Sequence, residues 1–149
     1  LSDYTKLIEL DPKTAKHYRS RAFVHCAKGD FEKQLSDYRK SVEVDPRDPR
    51  GCNGLAWVLA TCPDPKLREG KEAITFATKA CELTEWKVGF YLDTLAVAYA
   101  EAGQYDKAVE YQTKALVDPE FARAVSADEM SNARRRLEMF KNKQAWREP

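Results

Sequence analysis

The chain is 149 residues long, with 25 Lys plus Arg against 24 Asp plus Glu, a formal net charge of +1 that gives no reason to expect a polyanionic partner. A charged fraction of 33% beside 43% hydrophobic residues fits amphipathic helices around one domain-sized core, and no apolar run reaches the ~18 residues that cross a bilayer. No signal peptide is visible, and localisation stays open, with the cytoplasm slightly favoured.

Leu1–Leu10 carries Tyr4, Leu7 and Ile8 at helical spacing, and Asp11-Pro12 stops it. Thr14 is placed to cap a helix over Lys16–Lys28, with Tyr18, Ala22, His25 and Cys26 on one side. Gly29-Asp30 turns the chain into a partner helix, Phe31–Val44, with Phe31, Leu35, Tyr38 and Val42 as its buried stripe. Asp45-Pro46 ends that helix. The spacing predicts further helices over Arg50–Thr61, Leu67–Leu83, Phe90–Ala102 and Tyr105–Leu116. Cys62-Pro63-Asp64-Pro65 is a longer turn, because two prolines so close cannot lie inside a helix. Thr84–Gly89 is a short connection and Asp118-Pro119 a stop. Ser126 and Glu129 form a capping box for a last helix over Ala127–Lys141, followed by a frayed tail. No stretch has a strand pattern.

One segment occurs twice. LSDYTKLIELDP (1–12) and LSDYRKSVEVDP (35–46) share eight of twelve residues at an offset of 34. A period of that length belongs to a helix–turn–helix repeat. The slots that recur are Ala22, Ala56 and Ala96, small residues in first helices, with Tyr18, Cys52 and Leu92 four positions earlier. Gly29 and Gly103 mark turns, each followed two residues later by an aromatic, Phe31 or Tyr105. Alanines 73, 80, 108 and 115 lie in second helices, and Pro12, Pro46 and Pro119 close the units. This pattern resembles the tetratricopeptide repeat family over about Leu1 to Pro119. Gln34 and Ser41 stand where alanines belong, and the spacing from Ala56 to Ala96 is 40 rather than 34.

The resemblance implies an all-α, right-handed α–α superhelix of antiparallel pairs. It divides into a half repeat (1–12), repeats at 13–46, 47–85 and 86–119, and a capping helix with tail (120–149). A half repeat at the edge exposes Tyr4, Leu7 and Ile8, so a fragment of a longer protein is expected, with possible self-association through that edge.

The resemblance also implies a peptide-binding groove lined by first helices. Its residues would be Arg19, Phe23, Asn53, Trp57, Asp93 and Val97, extended by Phe90 and Thr94. Trp57 is the expected anchor, so that Trp57→Ala should abolish partner capture and spare folding. Family members that clamp a chaperone's C-terminal carboxylate place Lys and Asn, then Asn, then Lys and Arg where this chain has Arg19 and Phe23, then Gly54, then Phe90 and Thr94. An apolar peptide is preferred to that ligand. The alternative is a structural spacer or oligomerisation segment whose groove is filled by its own C-terminal residues, which deletion of 143–149 would reveal. A weaker alternative is a nucleic-acid contact through Arg134, Arg135, Arg136, Lys141, Lys143 and Arg147, set against Glu138 and Glu148.

No nucleophile motif, phosphate loop or metal-ligand spacing is present, so neither catalysis nor a cofactor or metal is expected. The acidic residues read as solvated helix exteriors, His25 as a packing residue in an aromatic slot, and the four cysteines as core filler, and no carboxylates are arranged around His17 and His25 as metal ligands.

Overall fold

The computed structural model describes residues 1–147 and is helical throughout, with no strand among them. Its helices are α1 (Ser2–Leu10), α2 (Ala15–Ala27), α3 (Phe31–Val44), α4 (Pro49–Thr61), α5 (Gly70–Leu83), α6 (Gly89–Glu101), α7 (Tyr105–Val117), α8 (Pro119–Ala124) and α9 (Ala127–Lys141). They pack as successive pairs, α2 with α3, α4 with α5 and α6 with α7, each pair lying against the next. The first helices α2, α4 and α6 also touch in sequence, forming one inner layer backed by α3, α5 and α7.

The alanine slots explain the close approach. Ala22, Ala56, Ala73, Ala77, Ala80, Ala96, Ala108 and Ala115 are all fully buried, so paired helices meet almost backbone to backbone while Leu55, Leu59 and Leu95 fill the gaps. Gly29 and Gly103 turn the pairs at φ +73° and +74°, a conformation that other residues rarely adopt. In the middle pair the turn is longer, with a single 3₁₀ turn at Pro65–Leu67, and Glu69 N–H closes it by donating to the Leu59 carbonyl at 2.9 Å. Helix α5 therefore starts at Gly70, three residues later than the sequence pattern indicates. The connection before α6 contains two left-handed non-glycine residues, Glu85 and Trp86, and the Trp86 ring lies 6.1 Å from that of Tyr111.

Several expectations need correction. The stripe of α3 is inverted in character: its buried residues are Gln34, Asp37, Ser41 and Val42, whereas Phe31, Leu35 and Tyr38 are half-buried. Gln34 and Ser41 take the alanine slots, and the slot dictates burial whatever residue fills it. Asp37, Asp48 and Asp93 are buried too, not solvated. Each faces an arginine: Arg21 reaches Asp37 at 2.7 Å, Arg19 pairs with Asp48, and Arg136 reaches Asp93 at 2.9 Å. Cys26 is exposed, while Cys52, Cys62 and Cys81 are buried.

Helix entry differs as well. Thr14 makes no cap bond, its hydroxyl donating instead to Asp11 Oδ2 at 2.6 Å. Ser126 does cap α9, accepting from Glu129 N–H at 3.1 Å, but the Glu129 carboxylate turns away to Arg136 at 2.8 Å. Helix α8, capped by Asp118 with Pro119 in its first turn, has no counterpart in the sequence reading, because six residues show too little periodicity.

Candidate functional site: the inner helical face

The inner layer divides into an open half and a covered half. In the open half, Phe23 projects from α2 with 72% of its surface exposed. Beside it is a depression of ≈ 370 Å³ lined by Arg19, Ser20, Tyr38, Arg50, Asn53, Gly54 and Tyr91 as well as Phe23. Gly54 is required there by close approach. A Cβ on it would stand 2.2 Å from Tyr38 Cε1, so the tyrosine ring lies directly on the α4 backbone. The amide oxygen of Asn53 is buried and has no hydrogen-bond partner among the described residues. An unsatisfied buried acceptor is costly.

The charges of this half converge on Asp48. Its carboxylate caps α4, receives Arg50 Nε at 2.9 Å and pairs with Arg19. Burial pushes the Asp48 carboxyl up, but hydrogen bonds from Arg50 and the nearby guanidinium charges outweigh burial and hold it below its usual range. Two arginines share one carboxylate, which leaves one positive charge at the rim.

The covered half holds the rest of the residues expected in the groove. Val97, Thr94 and Asp93 are 1%, 2% and 4% exposed. They are not an open ladder, because α9 and the segment after it cover this end of the layer. Arg136, itself 1% exposed, sends Nε and Nη2 to Asp93 Oδ1 at 3.1 and 3.0 Å and Nη2 to Oδ2 at 2.9 Å. Gln112 Nε2 adds a bond to Asp93 Oδ1 at 2.5 Å. Burial pushes the Asp93 carboxyl above its ordinary value, and Arg136 and Gln112 oppose that shift.

Trp57 is half-buried against the core, with the Arg136 guanidinium 5.5 Å from its ring centroid. It belongs to the packing of α9 as much as to any ligand surface, so the expectation that it could be truncated without loss of stability is revised. Phe90 is 41% exposed but packs edge-on against Phe121 at 5.0 Å, under α8. Of the eight groove residues, the structure brings only Arg19, Phe23 and Asn53 together at an open surface. Sequence reasoning missed Tyr38, Arg50 and Tyr91. The first comes from a second helix, Arg50 lies one turn before Asn53, and Tyr91 falls between the groove positions Phe90 and Asp93.

The basic cluster near the C-terminus is likewise divided. Arg134 and Arg135 are exposed, but Arg136 is consumed by Asp93 and Glu129, so the three do not form one cationic face. Glu148 lies outside the described residues.

A family model of the tetratricopeptide repeat matches residues 91–116, which here are α6, its glycine turn and α7. The fold is a tetratricopeptide-repeat array. Among solved structures, the array is similar to the TPR2B domain of yeast Sti1 in its complex with pHsp70. The two share 22% sequence identity with a TM-score of 0.69, over 88% of this chain and 98% of that one. Sequence comparison with curated proteins finds no match. Among the described residues of the tetratricopeptide array, no group of three or more His, Cys, Asp or Glu could hold a metal ion. None of its helices is long and apolar enough to cross a membrane.

Proposed function

We propose that this chain is a protein-interaction module that holds a peptide segment of a partner on the open half of its inner face. The observation that carries the reading is the depression between Phe23, Tyr38 and Tyr91, with Asn53 on its wall. An apolar side chain would fill the aromatic-walled space, and the polar Asn53 side chain would border the backbone of the same segment. The fold supports the general role, since arrays of paired helices present extended surfaces of this kind. The Sti1 domain is recorded with pHsp70. A ligand of the carboxylate-clamped type fits less well here, because Arg19 is already paired with Asp48.

Panning a displayed peptide library against the chain tests the proposal. Enriched peptides should carry a bulky apolar residue and lose binding to Phe23→Asp and Asn53→Ala, while both variants melt like the parent. Peptides indifferent to both substitutions would place binding elsewhere. The second reading, a spacer whose groove is self-occupied, is favoured by the burial of Trp146 to 7% exposure. It predicts no enrichment at all.

A further inference from the structure

Helix α9 ends in a C-terminal cap, and the segment that follows the cap is seated like a ligand. Helix α9 stops at Lys141, and the chain turns through Lys143 at φ +55° as Gln144 N–H donates to the Met139 carbonyl at 2.9 Å. Residues 144–147 then run without regular structure. Ala145 packs on the core and Trp146 is inserted into it. Arg147 Nη1 reaches Glu101 Oε2 at 2.6 Å, at the C-terminal end of α6, where Arg68 Nε already holds the other oxygen at 3.1 Å. The Arg136 guanidinium lies 5.3 Å from the Trp146 ring and 5.5 Å from the Trp57 ring, bridging the inserted indole to the inner layer.

From this arrangement we propose that the seat of Trp146 is a second peptide-binding site, selective for an aromatic residue followed by a cation, and held shut by the chain's own residues 144–147. The receptor side supplies what such a segment needs. It has a guanidinium face for the aromatic ring, apolar core beneath it, and the Glu101 carboxylate placed for the following cation. The cis occupant is also an imperfect one. Its indole Nε1 is buried with no acceptor among the described residues, a defect that weakens the closed form. The Arg147–Glu101 pair is partly exposed on the arginine side and holds the segment only modestly. A segment of the same chemistry arriving on a partner must displace an occupant that its own tether holds at high effective concentration, and these two weaknesses lower that barrier, as does a high local concentration of the arriving segment. This inference rests on the reading of the inner face as a binding surface, but not on the Phe23 depression.

The probe is a fluorescein-labelled peptide of the chain's own residues 142–149, NKQAWREP, titrated into the full chain and followed by anisotropy. The intact chain should bind it weakly. Arg147→Glu, which repels the segment from Glu101 without removing core atoms, should bind it at least tenfold more tightly. Trp146→Ala should do the same if its melting shows it folded, and Arg147→Glu decides the matter if it is not. The same peptide with alanine in place of its tryptophan should not bind. Equal affinity of the intact chain and Arg147→Glu, or no binding to either, would overturn the proposal. Because this probe is the chain's own segment and the library reads the Phe23 depression, either reading can fail while the other stands.

Discussion

Replacing Arg136 by methionine removes the group that reconciles a buried carboxylate with the covered half of the array. Asp93 would keep Gln112 as its one bond, at 4% exposure, and Glu129 would lose its partner at 2.8 Å. Breaking a buried pair by removing one member costs ~3–5 kcal/mol, since the stranded charge stays desolvated. For a domain of this size, ~2–4 °C of melting temperature accompanies each kcal/mol, so a fall of roughly 6–20 °C is expected. The double variant Asp93→Leu/Arg136→Met carries no stranded charge and should recover most of the loss.

The pH dependence follows from Asp93. Burial raises its native pKa, and without Arg136 only Gln112 opposes that rise. A carboxyl whose native pKa is raised contributes stability that is present below its unfolded value and lost as the pH climbs through the native one. The deficit of Arg136→Met should therefore shrink when melts are moved from about pH 7 toward about pH 4, the unfolded carboxylate range. Urea and thermal melts followed by circular dichroism measure both effects. A single variant that loses less than ~1 kcal/mol, or a double variant no better than the single, would refute the reasoning, because a buried charge pair cannot behave so.

Two further outcomes follow from the packing. Gly54→Ala should destabilise by ~1–3 kcal/mol, since its Cβ has only the Tyr38 ring to enter, and melting of the purified variant checks it. In the native chain at mildly alkaline pH, a thiol reagent should label Cys26 quickly. It should leave Cys52, Cys62 and Cys81 until unfolding, the last with its thiol pushed up to about 12 by burial. Fast labelling of more than one cysteine would show that the core opens.

What was legible in the sequence was whatever depends on spacing. Alanines at fixed intervals, glycine at the turns and Asp-Pro at the stops report backbone geometry, and backbone geometry is what a repeat preserves. The site was harder to read because it depends on what lies over the repeats. Nothing in the spacing of Asp93, Thr94 and Val97 indicates that α9 covers them, and the covering contact joins Arg136 to an aspartate 43 residues away. The buried aspartates were hidden for a related reason. Asp37, Asp48 and Asp93 look like surface residues until the arginine that neutralises each is located in space. Arg19, Phe23 and Asn53 were found because they belong to the part of the layer where repeat geometry alone decides exposure.

The Arg136 contact also gives the molecule a direction. In an array where each pair leans only on its neighbours, unfolding can begin at either end. Here α1 has no buried residue, whereas α9 is pinned to α6 through the buried Arg136–Asp93 pair. Under load or heat the array should come apart from the α1 side, with the Arg136–Asp93 contact among the last to part. Hydrogen exchange should be fastest in α1, slower through α2 and α3, and slowest in α6 and α7.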